Sequence, residues 1–198
     1  MVALVRANVG TPSDAATTTT AVIPVEAPGL EAGTTSPLGD AGLGEGVGPE
    51  VGGRTPLRGF GEVVVSVTTP DGRICELCLL SAIDGPQRER GLMEVTDEDL
   101  GGYDGMLFEY PEEQPGAFWM RNTPQPLSIA WFDDRGELVS TADMQPCGDS
   151  SDCPTYPAAG TFKYAIEVPQ GMLDDIGAEP GATLHIHTRR CPLAGAGS

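Results

Sequence analysis

The chain has 198 residues, of which 29 are acidic and 11 are basic, so its formal net charge at pH 7 is −18. Phosphate backbones and anionic lipid surfaces repel such a protein, which argues against nucleic acid as a partner. The sequence contains no run of about 18 apolar residues, so no membrane span is expected.

The aromatic residues divide the chain into two parts. All eleven of them lie between Phe60 and Tyr164, whereas residues 1–58 contain none and are rich in Gly, Pro, Thr, Ala and Glu. A segment of that composition cannot bury enough apolar surface to offset the entropy lost when its backbone is ordered. We therefore predict a disordered arm or stalk over residues 1–58, a compact domain over 59–191 and a flexible tail over 192–198.

Apolar and polar residues alternate along most of the compact part, which is the pattern of half-buried β-strands. A "PDG" turn separates "EVVVSVTT" from "RICELCLLS", and these two runs are predicted to form a hairpin. Similar runs follow in the order "GMLFEY", "AFWMRNT", "LSIAWFDD", "ELVSTADM", "FKYAIEV" and "ATLHIHTR", while a helical pattern is confined to "PQRERGLM" and "QGMLDDIGA". Seven or eight short strands separated by turns predict an all-β fold, a mostly antiparallel sandwich or barrel with one or two short helices.

The segment "FWMRNTPQPLSIAWFDD" contains both tryptophans of the chain. Strand alternation places Phe118 and Met120 on one face, with Trp119 and Arg121 on the other. Because both faces of this run and of the next one are apolar, we expect a central pair of strands buried on two sides. A half-buried Arg121 then needs a carboxylate partner. Glu167, in the middle of "YAIEV", is the candidate for that partner, and Arg90 is a second basic residue that it can pair with.

Two interpretations of this polar group remain open. The two arginines and Glu167 can form a structural network that fixes the order of the strands. Alternatively, the guanidinium groups, together with Asn122 and Thr123, bind a small carboxylate or a sugar in a pocket walled by Trp119. The candidate ligand-binding residues are Trp119, Arg121, Asn122, Thr123, Arg90 and Glu167.

Five cysteines without zinc-type spacing indicate disulfides, and hence an oxidising compartment. Cys147 and Cys153 bracket a polar loop and form one expected bridge. Cys191 can pair with Cys75 or with Cys78, and the cysteine left over is a buried thiol or an intermolecular link. On one strand, Cys75 and Cys78 point to opposite faces with their Cα atoms about 10 Å apart, which argues against a redox or metal role for this C-x-x-C.

The inventory of catalytic residues is small. The two histidines, His185 and His187, share a strand face and are expected to face solvent. The sequence has no Gly-x-Ser-x-Gly motif, so nucleophilic catalysis lacks its usual residues. Glu109 and Glu167 have the chemistry of a glycosidase pair, provided that the fold brings them together. We expect no cofactor and no metal ion, and we consider an enzyme less expected than a binding module.

Five motifs occur in a fixed order: "RERGLM" (88–93), "GMLFEY" (105–110), "FWMRNTPQPLSIAWFD" (118–133), "PC" (146–147) and "YAIEVPQG" (164–171). In this order and spacing the sequence resembles domain-of-unknown-function family 192 over about residues 61–188. The resemblance implies a compact, mostly antiparallel β-domain, found chiefly in exported or envelope proteins, with no established activity. Ser128 departs from the pattern, because the family usually has Asp after Pro-Leu; a carboxylate that served chemistry in relatives would be lost here.

The sequence therefore predicts an exported or cell-envelope β-domain that acts as a non-catalytic small-ligand-binding or accessory module. No intact signal peptide is visible, which leaves either a cytoplasmic chain or a mature form whose signal was removed. The cysteines, the stalk-like arm and the resemblance favour an extracellular or envelope location. Two alternatives remain, a hydrolase that uses acidic residues and a purely structural envelope domain tethered by the arm. The expected partner is a small ligand or an envelope component.

Overall fold

The computed structural model describes residues 53–193, so the first 52 residues of the arm predicted over residues 1–58 and the last five residues of the predicted tail lie outside the described residues. Arg54, which falls within the predicted arm, packs on the domain. Arg54 is buried, and its guanidinium group donates hydrogen bonds to the carbonyl oxygens of Gly102 at 2.9 Å and Pro192 at 2.5 Å. Composition averaged over the whole arm hides this packing, because the side chains that carry it lie within its last few residues.

Nine strands, one short α-helix and one 3-10 turn make up the described domain. The strands are β1 (Gly61–Thr68), β2 (Ile74–Ala82), β3 (Gly105–Gln114), β4 (Ala117–Trp119), β5 (Leu127–Phe132), β6 (Leu138–Met144), β7 (Thr155–Pro157), β8 (Phe162–Pro169) and β9 (Thr183–His187). Helix α1 covers Gly85–Arg90, and the 3-10 turn covers Leu100–Gly102. The predicted all-β class is confirmed. No helix in the described part of the chain has the length and apolar character needed to cross a bilayer.

Seven strands form one sheet in the order β6-β5-β8-β3-β2-β1-β9. Neighbouring strands run antiparallel except β2 and β3, which are parallel. The predicted hairpin of β1 and β2 is confirmed, with Thr68 opposite Ile74 next to the turn. Parallel strands need a long crossover connection. Helix α1 and residues 91–104 form that crossover, which carries the chain from β2 to β3.

The two edge strands of this sheet approach each other at one end. The amide of Leu138 donates to the carbonyl oxygen of Ala182 at 3.0 Å, and the amide of Leu184 donates to that of Gly136 at 2.7 Å. These bonds partly close the sheet into a barrel. Glycine is required at position 136, because φ is +81° and a Cβ atom there would lie 2.3 Å from the carbonyl oxygen of Leu184.

The two faces of the sheet carry separate apolar cores. One face presents a cluster that includes Val65, Leu79, Leu107, Ile166 and Val168, and we call it the Val65 face. The other presents a cluster that includes Leu80, Met106, Phe108, Ile129 and Trp131, and we call it the Trp131 face. Helix α1, the segment that follows it and strand β4 cover the Trp131 face. Every residue of β5 is buried, as expected for a strand covered on both sides.

Strand β4 is not the partner of β5 that the sequence predicted. It pairs antiparallel with β7 in a separate two-stranded sheet, where Phe118 lies opposite Tyr156. Phe118 is buried, whereas the side chain of Trp119 is 44% exposed. The prolines at 124 and 126 explain the difference, because proline cannot donate to a strand ladder and the chain leaves extended pairing before β5 begins.

The structure contains two disulfides among the described residues. Cys147 pairs with Cys153, as predicted, with Cα atoms 5.9 Å apart. Cys191 pairs with Cys78, which resolves the choice that the sequence left open. Cys75 is a half-buried free thiol that packs on the Val65 face, opposite to Cys78 on the Trp131 face.

The separations of the bridged cysteines predict unequal contributions to stability. Cys78 and Cys191 are 113 residues apart, and Cys147 and Cys153 are 6 apart. Because the closure entropy of the unfolded chain grows with loop length, we expect loss of the long-range bridge in Cys78→Ala/Cys191→Ala to lower the free energy of unfolding by about 5 kcal/mol. Loss of the short-range bridge in Cys147→Ala/Cys153→Ala is expected to cost about 2 kcal/mol. Urea denaturation measures both, and equal losses would contradict this ranking.

Candidate functional site

Glu167 occupies an apolar part of the Trp131 face. It lies in the middle of β8, opposite Met106 of β3 and Ile129 of β5, and it is only 4% exposed. Within residues 53–193, no hydrogen bond or ion pair reaches its carboxyl group. Burial disfavours the charged form and raises the pKa of Glu167 from 4.5 to about 8. At neutral pH the group is therefore mostly a protonated acid that can donate a hydrogen bond.

A cavity of about 30 Å³ lies next to this carboxyl group. That volume is about twice what one water needs, so the cavity accommodates one small chemical group. Arg90, Trp119, Thr123 and Glu167, four of the six predicted ligand-binding residues, line it. Arg90 and Trp119 are exposed and stand at the rim, whereas Thr123 and Glu167 are buried.

Helix α1 forms one wall of the cavity, and local sequence signals fix its position. Asp84 and Gln87 form a capping box, in which each side chain accepts a hydrogen bond from the backbone amide of the other, at 2.8 and 3.1 Å. The helix ends at Gly91, whose φ is +48° and whose amide donates to the carbonyl oxygen of Gln87. A Cβ atom at Gly91 would lie 3.2 Å from the ring of Phe108, so glycine allows the close approach of the helix end to the sheet.

Arg121 does not contact Glu167, so the predicted ion pair between them is wrong. Its Nε donates to Oδ1 of Asp149 at 2.9 Å, and its guanidinium carbon lies 5.7 Å from the ring centre of Trp119. The side chains of Arg121 and Asp149 are 39% and 69% exposed. The alternation argument fails because β4 ends at Trp119, and Arg121 already belongs to the loop that pairs with Cys147.

The arginines of helix α1 also bind groups other than Glu167. Arg88 donates to the carbonyl oxygen of Glu109 at 2.8 Å, and its guanidinium group lies 4.8 Å from the ring centre of Tyr110.

Arg90 donates to the carbonyl oxygen of Arg58 at 2.7 Å and packs 5.2 Å from the ring centre of Phe60. The predicted network of Arg90, Arg121 and Glu167 is therefore not formed, although Arg90 and Glu167 line the same cavity.

A second, more open groove of about 420 Å³ shares Thr123 with the cavity. Glu94, Asn122 and Gly148 are among its lining residues. Asn122 and Glu94 both have left-handed backbones, with φ of 55° and 62°, and the amide of Glu94 donates to the carbonyl oxygen of Asn122 at 2.7 Å. Backbones of this kind cost about 1–3 kcal/mol each in residues other than glycine and tend to occur at binding sites. Asn122, one of the predicted ligand-binding residues, therefore lines this groove.

Ser128 lies beside a carboxylate that sequence reasoning missed. The hydroxyl of Ser128 donates to Oδ1 of Asp143 at 2.5 Å and accepts from the amide of Gly171 at 3.0 Å. Asp143 is its partner across the β5–β6 register. A carboxylate is therefore present at this point, supplied by the neighbouring strand. Ser128 is opposite Val168, however, and so lies on the Val65 face, away from Glu167.

The carboxylate pair considered for a hydrolase is not assembled. Glu109 lies opposite Tyr164 on the Val65 face, whereas Glu167 lies opposite Met106 on the Trp131 face. Two carboxyl groups on opposite faces of one sheet cannot flank a single glycosidic bond. Glu89 of helix α1 is the second acid that lines the cavity of Glu167.

Other groups with metal-binding chemistry lie away from this cavity. His185 is exposed, and Nε2 of His187 lies 3.0 Å from the hydroxyl of Ser66. Carboxylate oxygens of Glu113, Asp133 and Asp134 come within 4.8 Å of one another, an arrangement common at acidic surfaces without an ion. The Glu113 carboxylate already accepts hydrogen bonds, from the amide of Asp134 at 2.9 Å and the hydroxyl of Thr161 at 3.1 Å.

Sequence reasoning missed part of the cavity wall. Phe108 and Phe118 line it, and their ring centres are 5.1 Å apart in an edge-to-face arrangement. Neither residue is among the ligand-binding residues predicted from the sequence. The sequence feature that could have indicated this wall is the motif "RERGLM", because its residues 88–93 all line the cavity. No local pattern, however, indicates which face of the sheet this segment covers.

The match to a family model decides the classification of this chain. The model of domain-of-unknown-function family 192, described as an uncharacterized ACR, matches residues 67–186. The chain belongs to this family. No curated protein matches it.

Two solved structures are similar to this family member. A Novosphingobium aromaticivorans protein of unknown function is 29% identical over 71% of this chain and 94% of its own, with a TM-score of 0.56. A Sinorhizobium meliloti protein, provisionally described as a transcription regulator, is 27% identical over 64% of this chain and 95% of its own, also with a TM-score of 0.56.

The raised pKa of Glu167 predicts a stability that falls with pH. The carboxyl group has an ordinary pKa of 4.5, whereas burial moves it to about 8 in the folded chain. Between these values the folded state holds one more proton than the unfolded state, so the contribution of Glu167 to the free energy of unfolding falls by about 1.4 kcal/mol per pH unit. Glu167→Gln keeps the shape of the protonated acid and removes the titration.

Urea denaturation of the wild type and Glu167→Gln from about pH 5 to 8 isolates this effect, because other titrating groups cancel in the difference. We expect the stability of the glutamine variant relative to wild type to increase across this range. Glu109→Gln, on the Val65 face, is the matched control for the loss of one carboxyl group from this sheet. A pH-independent difference for Glu167→Gln would mean that the carboxyl group titrates normally.

The exposed setting of Arg121 predicts a small contribution to stability. We expect Arg121→Ala to lower the free energy of unfolding by less than about 1 kcal/mol, as is usual for surface ion pairs. A double-mutant cycle with Asp149→Ala measures the coupling between the two side chains. A loss of about 3 kcal/mol or more would instead support the buried pair expected from the sequence.

Proposed function

We propose that this family member is a non-catalytic module of an exported or cell-envelope protein, and that it binds a small ligand with one polar group beside Glu167. The proposal is carried by a single observation: a carboxyl group only 4% exposed, without a partner in the described part of the chain, borders a cavity. Among the described residues, the buried side-chain atom without a hydrogen-bond partner is Nε1 of Trp131, so the carboxyl oxygens of Glu167 still reach the cavity. A polar ligand group in the cavity can hydrogen-bond to them.

The surroundings of the cavity support a ligand larger than one polar group. Because the cavity holds only a group of about 30 Å³, the remainder of the ligand lies outside it. Trp119 offers an exposed aromatic surface at the rim, and Thr123 also lines the 420 Å³ groove that contains Asn122. Arg121 is outside both spaces and is not part of the proposed site.

The location of the protein is part of the proposal. Two disulfides support an exported or envelope protein, because such bonds persist in oxidising compartments and are rare in the cytosol. The description of the Sinorhizobium relative as a transcription regulator would imply nucleic acid as a partner. A net charge of −18 opposes binding to a phosphate backbone, so we do not extend that role to this chain.

A hydrolase remains the second candidate, and the geometry restricts its form. Glu167, whose pKa is raised to about 8, would act with Glu89, the other acid that lines the cavity. If this pair is catalytic, the wild type hydrolyses nitrophenyl glycosides and Glu89→Gln loses that activity. A binding module shows no hydrolysis in either protein. A purely structural domain, tethered by residues 1–58, predicts neither turnover nor binding.

Fluorescence of Trp119 tests the binding role. Trp131 is fully buried, so a change in emission on adding a ligand should come from Trp119 at the cavity rim. The probes are acetamide, acetate, n-butylamine and glucose. We expect at least one to change the emission, with its affinity at least about tenfold weaker in Glu167→Gln, because its hydrogen-bonding partner is altered. Glu109→Gln should bind as the wild type does, and Trp119→Phe should abolish the signal.

Calorimetric titration with the same four probes provides a measurement that does not depend on Trp119. If none of the probes binds by either method, or if Glu167→Gln binds unchanged, the proposed site is wrong.

A further inference from the structure

We propose that the ligand group beside Glu167 is a primary alkylammonium, a protonated amine attached to a methylene carbon. This inference rests on the proposed binding role of the cavity and identifies the chemical class of its ligand. It differs from the ligand classes considered from the sequence, a carboxylate or a sugar held by arginine.

An anionic ligand would need arginine side chains as partners, but these arginines already donate hydrogen bonds to other groups. Arg88 donates to the carbonyl oxygens of Ile83 and Glu109, and Arg90 donates to that of Arg58. Arg121 pairs with Asp149 and does not line the cavity. The polar group that borders this cavity without a partner in the described chain is an acid, and its ionised form needs a hydrogen-bond donor or a cation.

The aromatic part of the cavity wall suits a cation, and the carboxyl group of Glu89 lies on the same wall as the positively charged groups of Arg88 and Arg90. Phe108, Phe118 and Trp119 all line the cavity, and the faces of aromatic rings attract ammonium groups through their quadrupoles. A primary ammonium has three N–H donors, so it can bond to the carboxylate of Glu167 and still contact the hydroxyl of Thr123. The net charge of −18 also raises the local concentration of cations around the protein.

The size of the cavity selects among amines. About 30 Å³ accommodates the nitrogen and its first methylene, each of which is about the size of a water molecule. A quaternary ammonium is too large for this space and has no N–H to donate. An aliphatic chain attached to the ammonium would leave the cavity past the exposed Trp119, where apolar contact is available.

Binding of the ammonium exchanges one proton. The empty site holds Glu167 as a neutral acid below its pKa of about 8. When the alkylammonium enters, the O–H bond of the acid breaks, its electron pair stays on the carboxylate, and its proton passes to buffer. The carboxylate then accepts a hydrogen bond from the ammonium, which keeps all its protons. Because one proton leaves, the combined charge of the site and the ligand falls by one. The apparent association constant therefore rises about tenfold per pH unit below 8 and levels off above it, roughly ninetyfold in all from pH 6 to pH 9.

A ligand of the competing class, one that accepts a hydrogen bond from Glu167, would show the opposite pH dependence of binding. A carbonyl or carboxylate oxygen would accept a hydrogen bond from protonated Glu167, and its binding would weaken as pH rises through 8. Alkylammonium groups stay protonated over this range, as the lysine side chain does with its pKa of about 10.4. The direction of the pH dependence therefore separates the two classes.

Isothermal titration calorimetry of the full chain from pH 6 to pH 9 tests the proposal, with n-butylamine, butyramide and tetramethylammonium as probes. We expect butylammonium to bind with an affinity that rises over this range and with release of about one proton at pH 7, measured in buffers of different ionisation enthalpy. Glu167→Gln should lose at least about tenfold in affinity, Glu109→Gln should match the wild type, and tetramethylammonium should not bind.

The other outcomes are equally informative. Binding of butyramide that weakens above pH 8, with no binding of butylammonium, overturns the ligand class but leaves the proposed binding role intact. Failure of all three probes here, together with all four fluorescence probes, overturns both. The proton release measured when butylammonium binds to the wild type distinguishes the two ligand classes even if Glu167→Gln does not fold.

Discussion

Strands β3 and β5 flank a carboxyl group in the middle of β8, where the residues opposite it, Met106 and Ile129, are apolar. Burying an ionised carboxylate without a partner costs more free energy than the net stability of a small domain. The group must therefore be paired or protonated. No basic side chain in the described chain pairs with Glu167, and its pKa rises to about 8. The pH dependence of stability and the proposed preference of the site for a particular ligand both follow from this one placement.

The elements that cover the Trp131 face form the cavity beside Glu167 and so make the buried acid accessible to a ligand. A buried acid sealed under the core would carry only an energetic penalty, whereas here a cavity connects it to exposed residues at the rim. Helix α1, held at its start by the capping box and at its end by Gly91, brings residues 88–93 over the sheet. Strand β4 brings Phe118 and Trp119 from the other side. The Cys147–Cys153 bridge orders the loop that pairs with residues 121 and 123, which lies against the same region.

Local signals in the sequence predicted the features that depend on neighbouring residues. The β1–β2 hairpin follows from alternation around a "PDG" turn, and the Cys147–Cys153 bridge follows from six-residue spacing. Pairings between distant segments were not predictable in the same way. Nothing near Trp119 in the sequence indicates that β7 is its partner strand, and nothing near Arg121 points to Asp149. The face on which a strand residue lies also depends on register, so Glu167 was assigned the wrong partner although it was recognised as out of place.

The protonation state of Glu167 is the central claim, and a carbon-13 NMR titration of its carboxyl carbon measures it directly. The resonance is assigned by its absence in Glu167→Gln. The account predicts a midpoint of about 8, well above the 4.5 of an ordinary glutamate. A midpoint close to 4.5 would mean that the carboxylate is solvated or paired in the folded protein, and it would contradict both the site and the ligand class inferred from it.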